Sequence, residues 1–207
     1  MKKFWIKSLA AVAVLALSAL AYSVELTKFD SKPGTKVRID GTSSIHDWSV
    51  ESGIVAGKME IDAAFVANPT AAKPGKIAAN VTTTIPVRSL KSGTKAMDDR
   101  MYTAMNLPKF PKIEYRLTEL TLKETPKSAN GPFNFDSKGE LTVSGVTNQV
   151  SFPVTMTRDD KTLKTTGATS VKMTSFGIEP PGLVVLIHTG DDVKLTFDWV
   201  TGVSEAK

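Results

Sequence analysis

Cysteine is absent from all 207 residues, and histidine occurs only twice, at His46 and His188. No disulfide can form, and no thiolate is available to a metal or to a lipid anchor. A zinc site takes three or four protein ligands, more than two histidines supply alone. A long hydrophobic run is also missing. The apolar stretch from Ser8 to Leu20 has 13 residues, against roughly 20 needed to span a bilayer. There is no G-x-S-x-G elbow, no phosphate-binding loop and no dinucleotide fingerprint. Repeats and low-complexity tracts are lacking. What remains, 41% hydrophobic and 23% charged residues, is the composition of a globular domain.

The formal charge of +5 gathers at the start of the chain. Lys2, Lys3 and Lys7 precede or open the apolar run, and Ala19-Leu20-Ala21 closes it with small residues where a signal peptidase reads. This is the pattern of a cleaved secretory signal. Residues 1–21 are expected to be removed, with a second frame at Ala21-Tyr22-Ser23. Residues 22–207 are then one soluble domain, periplasmic or secreted, with no stable membrane span. Without the three lysines, 23 basic residues face 21 acidic ones, a net charge of +2. No basic run is left, which argues against nucleic acid as a partner.

From Val37 onward the dominant signal is alternation. Val37, Ile39 and Gly41 form one set. Val55, Gly57, Met59, Ile61 and Ala63 form the next, then Ala79, Val81, Thr83, Ile85 and Val87. Ile113, Tyr115 and Leu117 follow, then Leu141 and Val143, then Val150, Phe152, Val154 and Met156. Segment 161–175 is weaker, and Val193, Leu195, Phe197 and Trp199 close the series. Period two means strands with one buried face. Pro33-Gly34, Gly131-Pro132, Gly145 and Pro180-Pro181-Gly182 mark turns between them. Only the stretch from Ser89 to Asn106 departs. There Met97, Met101, Ala104 and Met105 stand at helical spacing, Ser92 or Thr94 offers a cap, and Leu107-Pro108 a stop.

The chain is therefore expected to be all-β: an eight-stranded antiparallel barrel with one amphipathic helix between strands three and four. Gly57, Ala63, Ala79, Thr83 and Gly167 are small residues in apolar-parity positions. A lumen lined that way is expected to stay open as a cavity.

Four segments together resemble the YceI-like family of exported lipid-binding proteins. Gly139-Glu140-Leu141-Thr142-Val143-Ser144-Gly145-Val146-Thr147-Asn148-Gln149-Val150 looks like its hairpin. Leu107-Pro108-Lys109-Phe110-Pro111-Lys112-Ile113-Glu114-Tyr115 looks like its stretch after the helix. Ser175-Phe176-Gly177-Ile178 resembles its F-G-I turn, and Ser43-Ser44-Ile45-His46-Asp47-Trp48-Ser49-Val50 the segment after its first strand. The resemblance runs from about Val24 to Val200. It implies a lipocalin-like barrel with a helix near its mouth and an apolar cavity for a polyisoprenoid, an isoprenoid quinone or a similar amphiphile.

The candidate ligand-binding residues are Val37, Ile39, Met59, Ile61, Val81, Ile85, Ile113, Tyr115, Phe152, Val154, Leu195 and Phe197 on the strands, with Met97 and Met101 on the helix. Flexible thioethers suit a floppy chain. Arg88, Arg100 and Tyr102 are the candidates for a polar head group. Ser43, Ser44, His46 and Asp47 invite a triad, but neighbours on a strand point to opposite faces, so no catalytic residue is expected. No metal and no cofactor is expected either. The rival reading is a non-catalytic interaction or stress-protection module with a filled barrel. An exposed strand edge or apolar rim could support a homodimer.

Overall fold

Pro33-Gly34 looks like a hairpin turn in the sequence, yet the chain does not reverse there. β1 (Leu26–Ser31) and β2 (Lys36–Ser43) lie end to end along the same edge of the last strand, β11 (Thr189–Val203). Phe29 pairs with Val203 and Ser31 with Thr201, and the ladder resumes at Lys36 opposite Asp198. A side chain spans the gap. Val200 N–H donates to the Thr35 hydroxyl at 3.1 Å while Lys32 N–H donates to the Val200 carbonyl at 2.9 Å. β3 (Trp48–Ser52) and β4 (Ala56–Asp62) repeat the device, β3 against β2 and β4 against β1. β5 (Gly75–Lys76) and β6 (Ala79–Pro86) do so again along β7 (Lys112–Leu122).

β8 (Phe133–Val143), β9 (Val146–Asp159) and β10 (Thr162–Lys172) complete the sheet. Its order β1-β4-β6-β7-β8-β9-β10-β11 closes through the β1–β11 pairing, giving a barrel of eight antiparallel staves, the first three of them broken. The computed structural model describes residues 24–182 and 188–205. The expected signal, residues 1–21, lies outside the described residues.

The helix α2 (Lys95–Ala104) sits between β6 and β7, the third and fourth staves. A second helix, α1 (Ala63–Ala67), corrects the expectation of one. The alternation read through Ala63 ends at Asp62. Its carboxylate accepts the N–H groups of Ala64 and Phe65 at 2.8 and 3.4 Å, which caps the helix. Alanines fit either pattern, so the cap decides. α1 drives Phe65 into the closed end, where its ring meets Phe133 and Phe135 edge-on at 5.4 and 5.6 Å. Around it lie Phe29, Met59, Ile61, Leu122, Met156 and Trp199, a base with almost no exposure. A second apolar cluster, including Val37, Val50, Leu90, Ile113, Leu141 and Phe176, occupies the opposite end under α2.

Candidate functional site

The lumen narrows toward the base because aromatic rings lie across its glycines. A Cβ on Gly167 would stand 2.7 Å from the Phe197 ring, its cross-strand partner. A Cβ on Gly57 would meet Trp199 at 3.0 Å, and one on Gly139 would enter the Tyr115 ring. At Gly57 and Gly167 this corrects the expectation that small residues leave the lumen open, whereas Ala79 and Thr83 do line a cavity. Gly57 and Gly167 are glycines because neighbouring atoms already occupy the space a Cβ would take. The deep cavity that survives is about 120 Å³.

Val37, Met59, Ile61, Val81, Ile85, Ile113, Tyr115, Phe152, Val154, Leu195 and Phe197 all face it. Its polar groups are few. Ser137 donates to the Phe152 carbonyl at 2.8 Å. The hydroxyls of Tyr115 and Thr165 are buried with no hydrogen-bond partner among the described residues. Burial pushes the Tyr115 phenol up to about 12, and the neighbouring Ser137 hydroxyl offsets that only in part.

Toward α2 the lumen opens into a mouth cavity of about 390 Å³. Ile113, Leu141 and Leu195 belong to both walls, so the two spaces adjoin. Ile39, Met97 and Met101 face the mouth, with Met105, Val143, Val171, Met173, Phe176 and Ile178. Met97 and Met101 are half-buried, and Met105 is packed into the upper core. The methionine face of α2 therefore divides between core and cavity.

Three pieces of the sequence meet at this end. Phe110 covers Gly145, whose φ of +79° follows Ser144 at +49° in the two-residue β8–β9 turn. Positive φ at both positions is the type I′ hairpin geometry. Ser144 donates to the Met105 carbonyl at 3.1 Å, and Asn148 Nδ2 to the Ser175 carbonyl at 2.7 Å. The hairpin thus holds the end of α2 on one side and the turn carrying Phe176 and Ile178 on the other.

The start of α2 is latched separately. Asp98, 6% exposed, accepts the Ser92 N–H at 2.8 Å and the Ser92 hydroxyl at 2.7 Å, with Lys91 Nζ at 3.6 Å. Burial alone would raise its carboxyl. The Ser92 bonds and Lys91 outweigh that and hold it below the ordinary carboxylate range. Thr94 occupies the N-cap position without a side-chain cap bond.

Of the head-group candidates, only Arg100 borders the mouth. The Tyr102 hydroxyl faces the carbonyls of Arg88 and Leu90 at 3.0 and 2.9 Å and accepts from Lys91 at 2.8 Å. It fastens the helix to the preceding segment and does not reach the lumen. Arg88 is exposed in that segment, away from both cavities.

The Ser43 hydroxyl bonds to the backbone of Ile45 and His46, and His46 Nδ1 lies 2.8 Å from the Asp47 carbonyl oxygen, not its carboxylate. His188 is exposed just before β11. Among the described residues no group of three or more His, Cys, Asp or Glu side chains could hold a metal. Sequence reasoning missed the mouth wall supplied by Val171, Met173, Phe176 and Ile178. The F-G-I turn was its available signal.

A closed antiparallel barrel with a plugged base, adjoining apolar cavities and a helix at its mouth is a lipocalin-like fold. The chain matches the YceI-like domain over residues 25–201 and belongs to that family. Burkholderia cenocepacia BcnA is similar in structure, with a TM-score of 0.62 at 19% identity over 80% of this chain and 95% of that one. A Saccharophagus degradans domain described as polyisoprenoid binding, and implicated in plant cell wall breakdown, has a TM-score of 0.61 at 10% identity. That match covers 87% of this chain and 100% of the other. A Campylobacter jejuni YceI protein gives 0.56 at 12% identity over 73% and 82%. No curated protein sequence matches the chain.

Proposed function

We propose that the protein is exported and there binds and carries a long apolar amphiphile, of the polyisoprenoid or isoprenoid-quinone class, without catalysing a reaction. The observation that carries this reading is the mouth cavity of about 390 Å³. It exceeds the roughly 300 Å³ at which ordinary ligand pockets begin, and it adjoins a second apolar space. The methionines of α2 give it a wall that repacks around a flexible chain. The polyisoprenoid-binding description of a structural neighbour supports the same class.

A second reading, a filled barrel that works through its surface, is favoured by one observation. Rings cover the glycines of the base and leave only about 120 Å³ there. Native mass spectrometry of protein purified from its own host, followed by lipid extraction, separates the two. A long-chain amphiphile at close to one per chain supports the carrier reading; an empty protein in repeated preparations overturns it. N-terminal sequencing of exported material, expected to begin at Tyr22 or Val24, tests the export.

A further inference from the structure

Two lumen hydroxyls stand apart from the rest. Most buried polar groups in folded proteins find a partner, because an unmade bond forfeits the hydration the group gave up. Ser137 satisfies itself on the Phe152 carbonyl at 2.8 Å, and Thr201 on the Leu163 carbonyl at 3.3 Å. Thr165, 6% exposed, has no partner among the described residues, and Tyr115 has none at hydrogen-bond geometry, its one polar neighbour being the Ser137 hydroxyl already committed to Phe152. They come from β10 and β7, two strands that do not touch, and both face the deep cavity. A valine and a phenylalanine would fill nearly the same volumes without the cost.

We infer that the deep cavity is a subsite for a neutral hydrogen-bonding group, of the alcohol, ketone or amide class, carried at the buried end of the bound molecule. The inference rests on the carrier reading and specifies its ligand. The molecule sits with its oxygen between Tyr115 and Thr165 and its chain running out past Ile113 and Leu195 to the methionines of α2. A phenol displaced upward to about 12 stays protonated across the physiological range and donates to that oxygen. Threonine donates or accepts as the group requires. A carboxylate or phosphate does not fit, because among the described residues no Lys, Arg or His faces the deep cavity and a buried unpaired charge is costly.

The test uses delipidated mature protein and three probes of equal chain length: n-hexadecane, 1-hexadecanol and hexadecanamide. Each competes against N-phenyl-1-naphthylamine fluorescence. Wild type should prefer the alcohol and the amide over the hydrocarbon by roughly three- to tenfold, about the worth of one hydrogen bond. Tyr115→Phe and Thr165→Val should bring that ratio toward one and leave hexadecane binding equal or tighter. A ratio unmoved in both variants, or a wild type that prefers hexadecane, overturns the subsite while leaving the carrier reading in place. Failure of every probe to bind overturns both. The empty Tyr115→Phe protein should melt at or above the wild-type temperature. A clear fall would show the hydroxyl already bonded within the protein, and would also overturn the subsite.

Discussion

Gly139 shows how one residue sets the volume of the lumen. Its missing Cβ is where the Tyr115 ring lies. Gly139→Ala must push that ring aside, an overpacking that costs about 1–3 kcal/mol. Gly53→Ala is the control, since its new Cβ would be 3.7 Å from the nearest atom. Thermal unfolding should drop for the first and hold for the second. A charged residue separates the two cavities in the same manner. Met101→Glu adds its charge at the half-exposed mouth and should abolish retention of the copurified lipid with a small change in melting temperature. Val154→Asp puts a charge on the wall of the deep apolar cavity, at a side chain 7% exposed, and should lose several kcal/mol of stability. Lipid extraction and calorimetry on both variants check the order. Alternation alone indicated which side chains face inward, because the two-residue period is local. It did not indicate how much room they leave. Phe197 over Gly167 is a cross-strand contact that no run of residues encodes. The fate of Tyr102 was hidden for the same reason, since its partners Arg88 and Leu90 are brought to it only by folding.

At the scale of elements, α2 is held by its ends while its middle faces a cavity. Asp98 and Tyr102 fasten it toward residues 88–92, and Ser144 fastens its last turn. Asp98→Ala removes two hydrogen bonds from a buried group and should cost roughly 1–3 kcal/mol at pH 7. The folded carboxyl titrates below its ordinary 3.8. Its charge-dependent contribution is therefore complete above that value and disappears as the pH falls through the folded one. Urea unfolding of wild type and variant from pH 7 to pH 3 should show the gap narrowing at the acid end. The helix was legible from Met97, Met101, Ala104 and Met105, which repeat at its own period. The broken staves were not. Pro33-Gly34 reads the same in a reversal and in an offset, and only the register of β11 distinguishes them. α1 was missed because Ala63 continued the alternation, although Asp62 carried the capping signal that ended it.

The whole molecule depends on β11 to a degree its neighbours do not share. This strand, 15 residues from Thr189 to Val203, pairs with β10 along one edge and with both β1 and β2 along the other. It is also the last stave, and the segment leading into it ends at the exposed His188. A chain stopped at Gly182 would keep the other seven staves and leave a vacant slot whose two edges both offer unpaired backbone groups. That makes the protein a natural split pair. A synthetic peptide of residues 188–205 should dock into the truncated partner as a donated strand, supplying Leu195, Phe197 and Trp199 to the interior in one step. Mixing the two fragments should restore far-UV and near-UV circular dichroism together, and lipid uptake with them. A peptide carrying Phe197→Asp should fail to reassemble the barrel. With a dye on the peptide, closure of the barrel becomes an optical signal.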